Sequence, residues 1–174
     1  MQYKKIIITV AILFVAVVIT GLALIKPSND VVYVNINKVF NDFQMKKELE
    51  AQLTSTQQSR KLILDSLEIQ LRLMSSEIES GNTDEDLQHR YKSYGREYML
   101  KSEKFQEDNQ IQTSQYDQQI WSQMNQYIED YRKAHNYKFI LGANGEGVLM
   151  AADKEYDITD KIIEYVNERY NGTQ

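Results

Sequence analysis

The sequence predicts an α+β fold. A long antiparallel helical hairpin, a coiled-coil arm, stands on a small β base with a C-terminal helix, behind an N-terminal apolar helix. Three observations carry this. Residues 37–135 contain no Pro, and the one cluster of turn-forming residues among them is Gly81-Asn82-Thr83-Asp84. Apolar residues recur every three and four positions on both sides of that cluster. Short runs rich in β-branched and aromatic residues flank the whole stretch.

The totals fit one modest, elongated or oligomeric domain. The chain has 174 residues and is 42% hydrophobic. Its mean hydropathy is still −0.54, although one N-terminal run holds much of the apolar content. A net charge of −5 and a pI near 5.1 exclude nucleic acid as a partner, because phosphate binding needs clustered Lys and Arg. The absence of Cys removes disulfides, thiolate metal sites and a thiol nucleophile.

Residues 6–25 carry no charge and follow Lys4 and Lys5. As a helix rising 1.5 Å per residue they span roughly 30 Å, the thickness of a bilayer core. Residues 1–26 are read as a signal anchor or a signal peptide, and residues 27–174 as the exported domain. The length favours the uncleaved anchor. Gly21-Leu22-Ala23 is a weak cleavage site for the alternative. The two early Lys against the single Lys26 keep the N-terminus inside.

The base is predicted from residues 31–36 and 137–170. Residues 31–36 form a strand with Val32, Val34 and Ile36 on one face, and Asn35 or Asn37 can cap the next helix. A lone strand cannot stand, so it must pair with the far end of the chain or with another subunit. Residues 137–141 and 147–151 read as two more strands, joined as a hairpin through Asn144-Gly145. A phosphate loop is excluded there, since no Lys-Ser/Thr follows and the segment leads into a strand. Asp157 then caps a helix whose buried face is Ile158, Ile162, Tyr165 and Val166.

The arm runs from residue 37 to 135. Its first helix, 38–80, has a distal seam of Leu64, Leu67, Leu71, Met74 and Ile78. The same register turns polar lower down, at Arg60, Gln57 and Glu50. The second helix, 85–135, carries Leu87, Tyr91, Tyr94, Tyr98 and Phe105, then resumes at Tyr116, Ile120, Met124, Tyr127 and Tyr131. The interval from Phe105 to Tyr116 breaks the heptad count, as a four-residue stutter does. Antiparallel pairing sets this interval against Leu53–Arg60, so the middle of the arm is predicted to be its loosest part. The Tyr residues follow seam spacing, and any that face outwards would hold apolar segments weakly.

The two ends of the chain resemble the Skp (OmpH-like) family of periplasmic chaperones. The residues that carry the resemblance are Val31-Val32-Tyr33-Val34-Asn35-Ile36-Asn37-Lys38-Val39-Phe40 after an export segment. They are matched by Tyr137-Lys138-Phe139-Ile140-Leu141-Gly142-Ala143-Asn144-Gly145-Glu146-Gly147-Val148 and Asp157-Ile158-Thr159-Asp160. The resemblance implies a homotrimer joined through the base, with Val32, Val34, Ile36, Phe139, Leu141, Val148 and Met150 as its oligomerisation residues. It also implies an ATP-independent holdase for unfolded outer-membrane proteins, held in a cavity between three arms. Tyr91, Tyr94, Tyr98, Phe105 and Tyr116 are the candidate client contacts. Known members have basic arms, whereas the tip here carries Glu77, Glu79, Asp84, Glu85 and Asp86 against Arg90 and Lys92. Binding of anionic lipid or lipopolysaccharide therefore does not carry over.

A membrane-anchored envelope scaffold, whose coiled arm binds one folded partner, is the competing function. An enzyme is the third. His89 and His135 lie at opposite ends of one helix and cannot share a metal within a chain, and the carboxylates follow solvated helix faces. No catalytic residue, metal or cofactor is expected.

Overall fold

The structure, a computed structural model, describes residues 31–172 apart from Asn82, Glu146 and Val148. In chain order the elements are β1 (Val31–Asn35), α1 (Ile36–Asp42), α2 (Gln44–Glu79), α3 (Glu85–Ala134), β2 (Phe139–Ala143) and α4 (Thr159–Tyr170), with one 3-10 turn at Lys154–Tyr156. The apolar run 6–25 lies outside the described residues. Among the described residues no helix is long and apolar enough to cross a membrane.

The arm is the hairpin of α2 and α3, with 36 and 50 residues. At 1.5 Å per residue these are about 54 and 75 Å long. Gly81, at φ +97°, supplies the left-handed residue that ends α2. Asp84 caps α3 by accepting from the Asp86 amide at 3.0 Å. The antiparallel register is fixed by side-chain neighbours. Gly95 lies opposite Leu71, Arg60 bonds Asn109, and Tyr116 reaches Gln52. At the tip, Leu67 and Leu87 are buried.

The predicted unbroken helix 38–80 is corrected. Helix begins at Ile36, capped by Asn35, whose side chain accepts from the Lys38 amide at 3.0 Å. It stops at Asp42 and restarts at Gln44, because Phe43 is extended (φ −69°, ψ 123°). Phe43 is fully buried between the rings of Tyr127 and Tyr170. Burial of this ring in the base overrides the local helix preference.

The base is also corrected. Residues 147–151 do not form a strand among the described residues, and the hairpin is absent; Val148 itself lies outside them. The expectation rests on Asn-Gly, whose hairpin preference comes from turns with positive φ at both residues. Asn136 is the one non-Gly residue with positive φ among those described, so Asn144-Gly145 does not form such a turn. Instead β2 pairs in parallel with β1, from Val31↔Phe139 to Asn35↔Ala143. Parallel strands need a long crossover, and here the entire arm is that crossover. The chain reverses after α3 through Asn136, at φ 57°. Arg132 locks the reversal by donating to the Tyr137 carbonyl at 2.8 Å.

The main core lies at the root of the arm. Val32 and Val34 of β1, Val39 of α1, Phe43, Ile120, Met124 and Tyr131 of α3, and Ile158, Ile162 and Val166 close on one another. Tyr165 packs at its margin, so α4 buries the predicted face. Asp157 accepts from the Thr159 amide at 2.9 Å at the start of α4. The Thr159 hydroxyl in turn accepts from the Asn35 amide at 2.8 Å and ties the helix to β1.

Candidate functional site

Helical phase decides what the arm shows to its surroundings. On α2, Leu64, Leu67, Leu71, Met74 and Ile78 point towards α3 and are partly or fully buried. At 100° per residue, Leu62, Ile69 and Leu73 fall on the opposite side. They are 70%, 58% and 62% exposed. Ile63 is exposed on the flank, and Met99, Leu100 and Ile111 are exposed on α3. The arm therefore carries one apolar seam that holds its helices together and a second, discontinuous apolar line facing out.

The five candidate contact residues lie in or beside the first of these. Tyr94, Tyr98, Phe105 and Tyr116 are half-buried, and Tyr91 is 37% exposed. Four of the five are thus partly taken up by the arm's own packing. Sequence reasoning passed over Leu62, Ile69 and Leu73. Their spacing of seven and four is itself heptad-like and was the available signal.

The middle of the arm is polar, as its seam predicts. Arg60 donates to Asn109, lies 3.9 Å from the Asp108 carboxylate and sits 5.7 Å above the Phe105 ring. Gln112 donates to the Tyr116 hydroxyl at 3.1 Å, while its own buried Oε1 has no partner. α3 nonetheless runs unbroken through the stutter. Beside it lies an open groove of about 790 Å³, lined by Gln57, Gln110, Thr113, Ser114, Gln118 and Trp121, among others. With Asp117 also on its wall, the groove presents amide, hydroxyl and carboxylate groups that can bond a peptide backbone.

At the base the two faces of the sheet differ. Val32 and Val34 fill the chain's own core, and Ile36 packs against it. Val31, Phe139 and Leu141 are exposed on the other face, and Met150 nearby is 86% exposed. A small apolar cavity of about 230 Å³ lies there between Val31, Tyr33, Leu141, Leu149 and Tyr156. Of the predicted oligomerisation residues, Phe139, Leu141 and Met150 are thus available to another copy, whereas Val32 and Val34 are occupied within the chain.

Electrostatically the arm is a set of surface pairs spaced four residues apart, such as Lys61–Asp65 at 2.6 Å and Arg72–Glu68 at 2.9 Å. Glu129 stands out. Two hydrogen bonds from Arg132, at 2.7 and 2.8 Å, hold its carboxyl well below the usual range, at about 2. Among the described residues no group of three His, Cys, Asp or Glu side chains is placed to hold a metal ion.

A sequence model of the family described as outer membrane protein (OmpH-like) matches residues 30–166. No curated protein matches the chain.

Proposed function

The chain belongs to the OmpH-like outer membrane protein family, whose members are periplasmic chaperones of outer-membrane proteins, and from this premise we propose that it is an ATP-independent holdase. In this reading it acts as a homotrimer, and unfolded outer-membrane proteins are held in a cavity between three arms. The observation that carries the reading is the outward apolar line of Leu62, Ile69 and Leu73, on the side of α2 away from its buried seam. Scattered exposed apolar residues on a polar arm suit weak, distributed contacts with chains that lack structure. The exposed sheet face of Val31, Phe139 and Leu141 supports assembly through the base. No catalytic step enters this function. The uncharged run 6–25 supports export and, if retained, tethers the chaperone to the inner membrane.

The test is suppression of aggregation of a denatured β-barrel protein by residues 27–174, at one trimer per client and without nucleotide. Full suppression is expected, and none would remove the proposal. Recovery from envelope extracts of one folded partner in fixed ratio, in place of many unfolded ones, would favour the scaffold.

A further inference from the structure

The break at Phe43 is not written in the local sequence. Residues 36–79 contain neither Gly nor Pro, and Phe43 has no side chain able to cap a helix. An uninterrupted helix would satisfy the backbone of residues 42–44 internally. In its place, one side chain from the far end of the chain serves both broken ends. Asn167 of α4 accepts from the Gln44 amide at 2.7 Å and donates to the Asp42 carbonyl at 3.2 Å. The same turn of α4 grips the arm at two further points. The Tyr170 hydroxyl donates to Glu48 at 2.7 Å, and Arg169 lies 3.7 Å from Asp130 on α3.

We propose that Asn167 is a positioning residue. It splices the break between α1 and α2 and so sets the angle at which the arm leaves the base. Two backbone states compete at Phe43. The extended one buries the ring and needs Asn167, and the helical one needs no partner but withdraws the ring from its site between Tyr127 and Tyr170. The side-chain amide is suited to this role because its separate oxygen and nitrogen offer an acceptor to the new helix start and a donor to the old helix end at once. The C-terminal helix therefore acts on the opening of the cavity without touching a client. The inference rests on the holdase reading for this consequence alone.

The test is a distance measurement on the full chain in detergent. Because the protein has no Cys, Gln58→Cys on the arm and Glu155→Cys at the base can carry paired spin labels. Labelled chain is diluted into unlabelled chain, so that distances within one copy are read. The wild type should give one narrow distribution. A kink above about 20° moves a point about 22 Å along the helix by about 8 Å. Asn167→Ala should therefore add or shift a population by several ångströms. Asn167→Asp keeps the acceptor for Gln44 and should recover most of the wild-type distribution. A wild-type distribution in Asn167→Ala would overturn the proposal. So would failure of both variants to fold, which would make Asn167 a determinant of the fold. No client is present, so the result is separable from the holdase assay.

Discussion

The tightest polar network sits where α3 ends and the chain reverses. Arg132 binds both oxygens of Glu129 and the carbonyl of Tyr137, and Lys133 adds charge 3.4 Å from the same carboxylate. The hydrogen bonds from Arg132 are the main reason that Glu129 titrates at about 2 instead of 4.5. A carboxyl with a depressed pKa contributes stability above its unfolded value and loses it as pH falls through the folded value. The contribution of Glu129 is therefore complete above about pH 4.5 and gone by about pH 2. Carboxyl NMR should show Glu129 titrating near 2, and Arg132→Gln should return it towards the ordinary range. Residues of this kind differ in how legible they are. Asn35 and Asp84 announce themselves as caps because their partners are two or three positions away, whereas Asp157, expected to cap α4, stands one residue before its N-cap Ile158 and bonds the Thr159 amide from there. Asn167 does not announce itself, because its partners lie 123 and 125 positions away and nothing local marks them.

At the scale of the arm, the period of the seam was readable and the identity of the outer face was not. A seam is recognised by what recurs, whereas Leu62, Ile69 and Leu73 are too few to stand out from a polar helix surface. Two expectations follow from this division. Replacing these three by Gln should leave the melting temperature within about 2 °C, since exposed positions carry little stability. It should weaken client holding tenfold or more, as contacts of roughly 1 kcal/mol each are lost. Aggregation assays against graded chaperone concentration read this directly, and unchanged holding would move the client surface elsewhere. The second expectation concerns the polar middle. Gln112 buries an amide oxygen without a partner, which costs about 1–3 kcal/mol. Gln112→Leu should therefore raise stability by about 1 kcal/mol, or about 3 °C in thermal unfolding. Hydrogen exchange should be faster at residues 52–60 and 105–116 than at the Leu67–Leu87 end, and Gln112→Leu should slow it.

For the whole molecule, the sequence placed strands at both ends of the arm but not their direction. Asn-Gly is a strong local hairpin signal, and it was outcompeted by a pairing between residues 108 positions apart, Val31 with Phe139. Burial decided it: the parallel register puts Val32 and Val34 under α4 and leaves Val31, Phe139 and Leu141 outside. Two strands with an apolar outer face are a poor end state. Among the described residues β2 also has no second neighbour, so an edge as well as a face remains open. Both are resolved if copies join through this surface. Phe139, 59% exposed in the single chain, is the residue to test. Phe139→Asp should leave the circular dichroism of the chain unchanged, because little of this ring is buried within it. In an assembly the same change removes about 1.5–3 kcal/mol of burial at each contact and places a carboxylate in an apolar site. The oligomer should then dissociate at least tenfold more readily. By analytical ultracentrifugation at micromolar concentration, wild type should sediment as a trimer and Phe139→Asp as a monomer, with Leu100→Asp on the arm as a control that stays assembled. A trimer that survives Phe139→Asp would place the interface elsewhere. A wild type that is itself monomeric would remove the proposed cavity, and with it the proposed mechanism in which three sparse apolar lines hold one client.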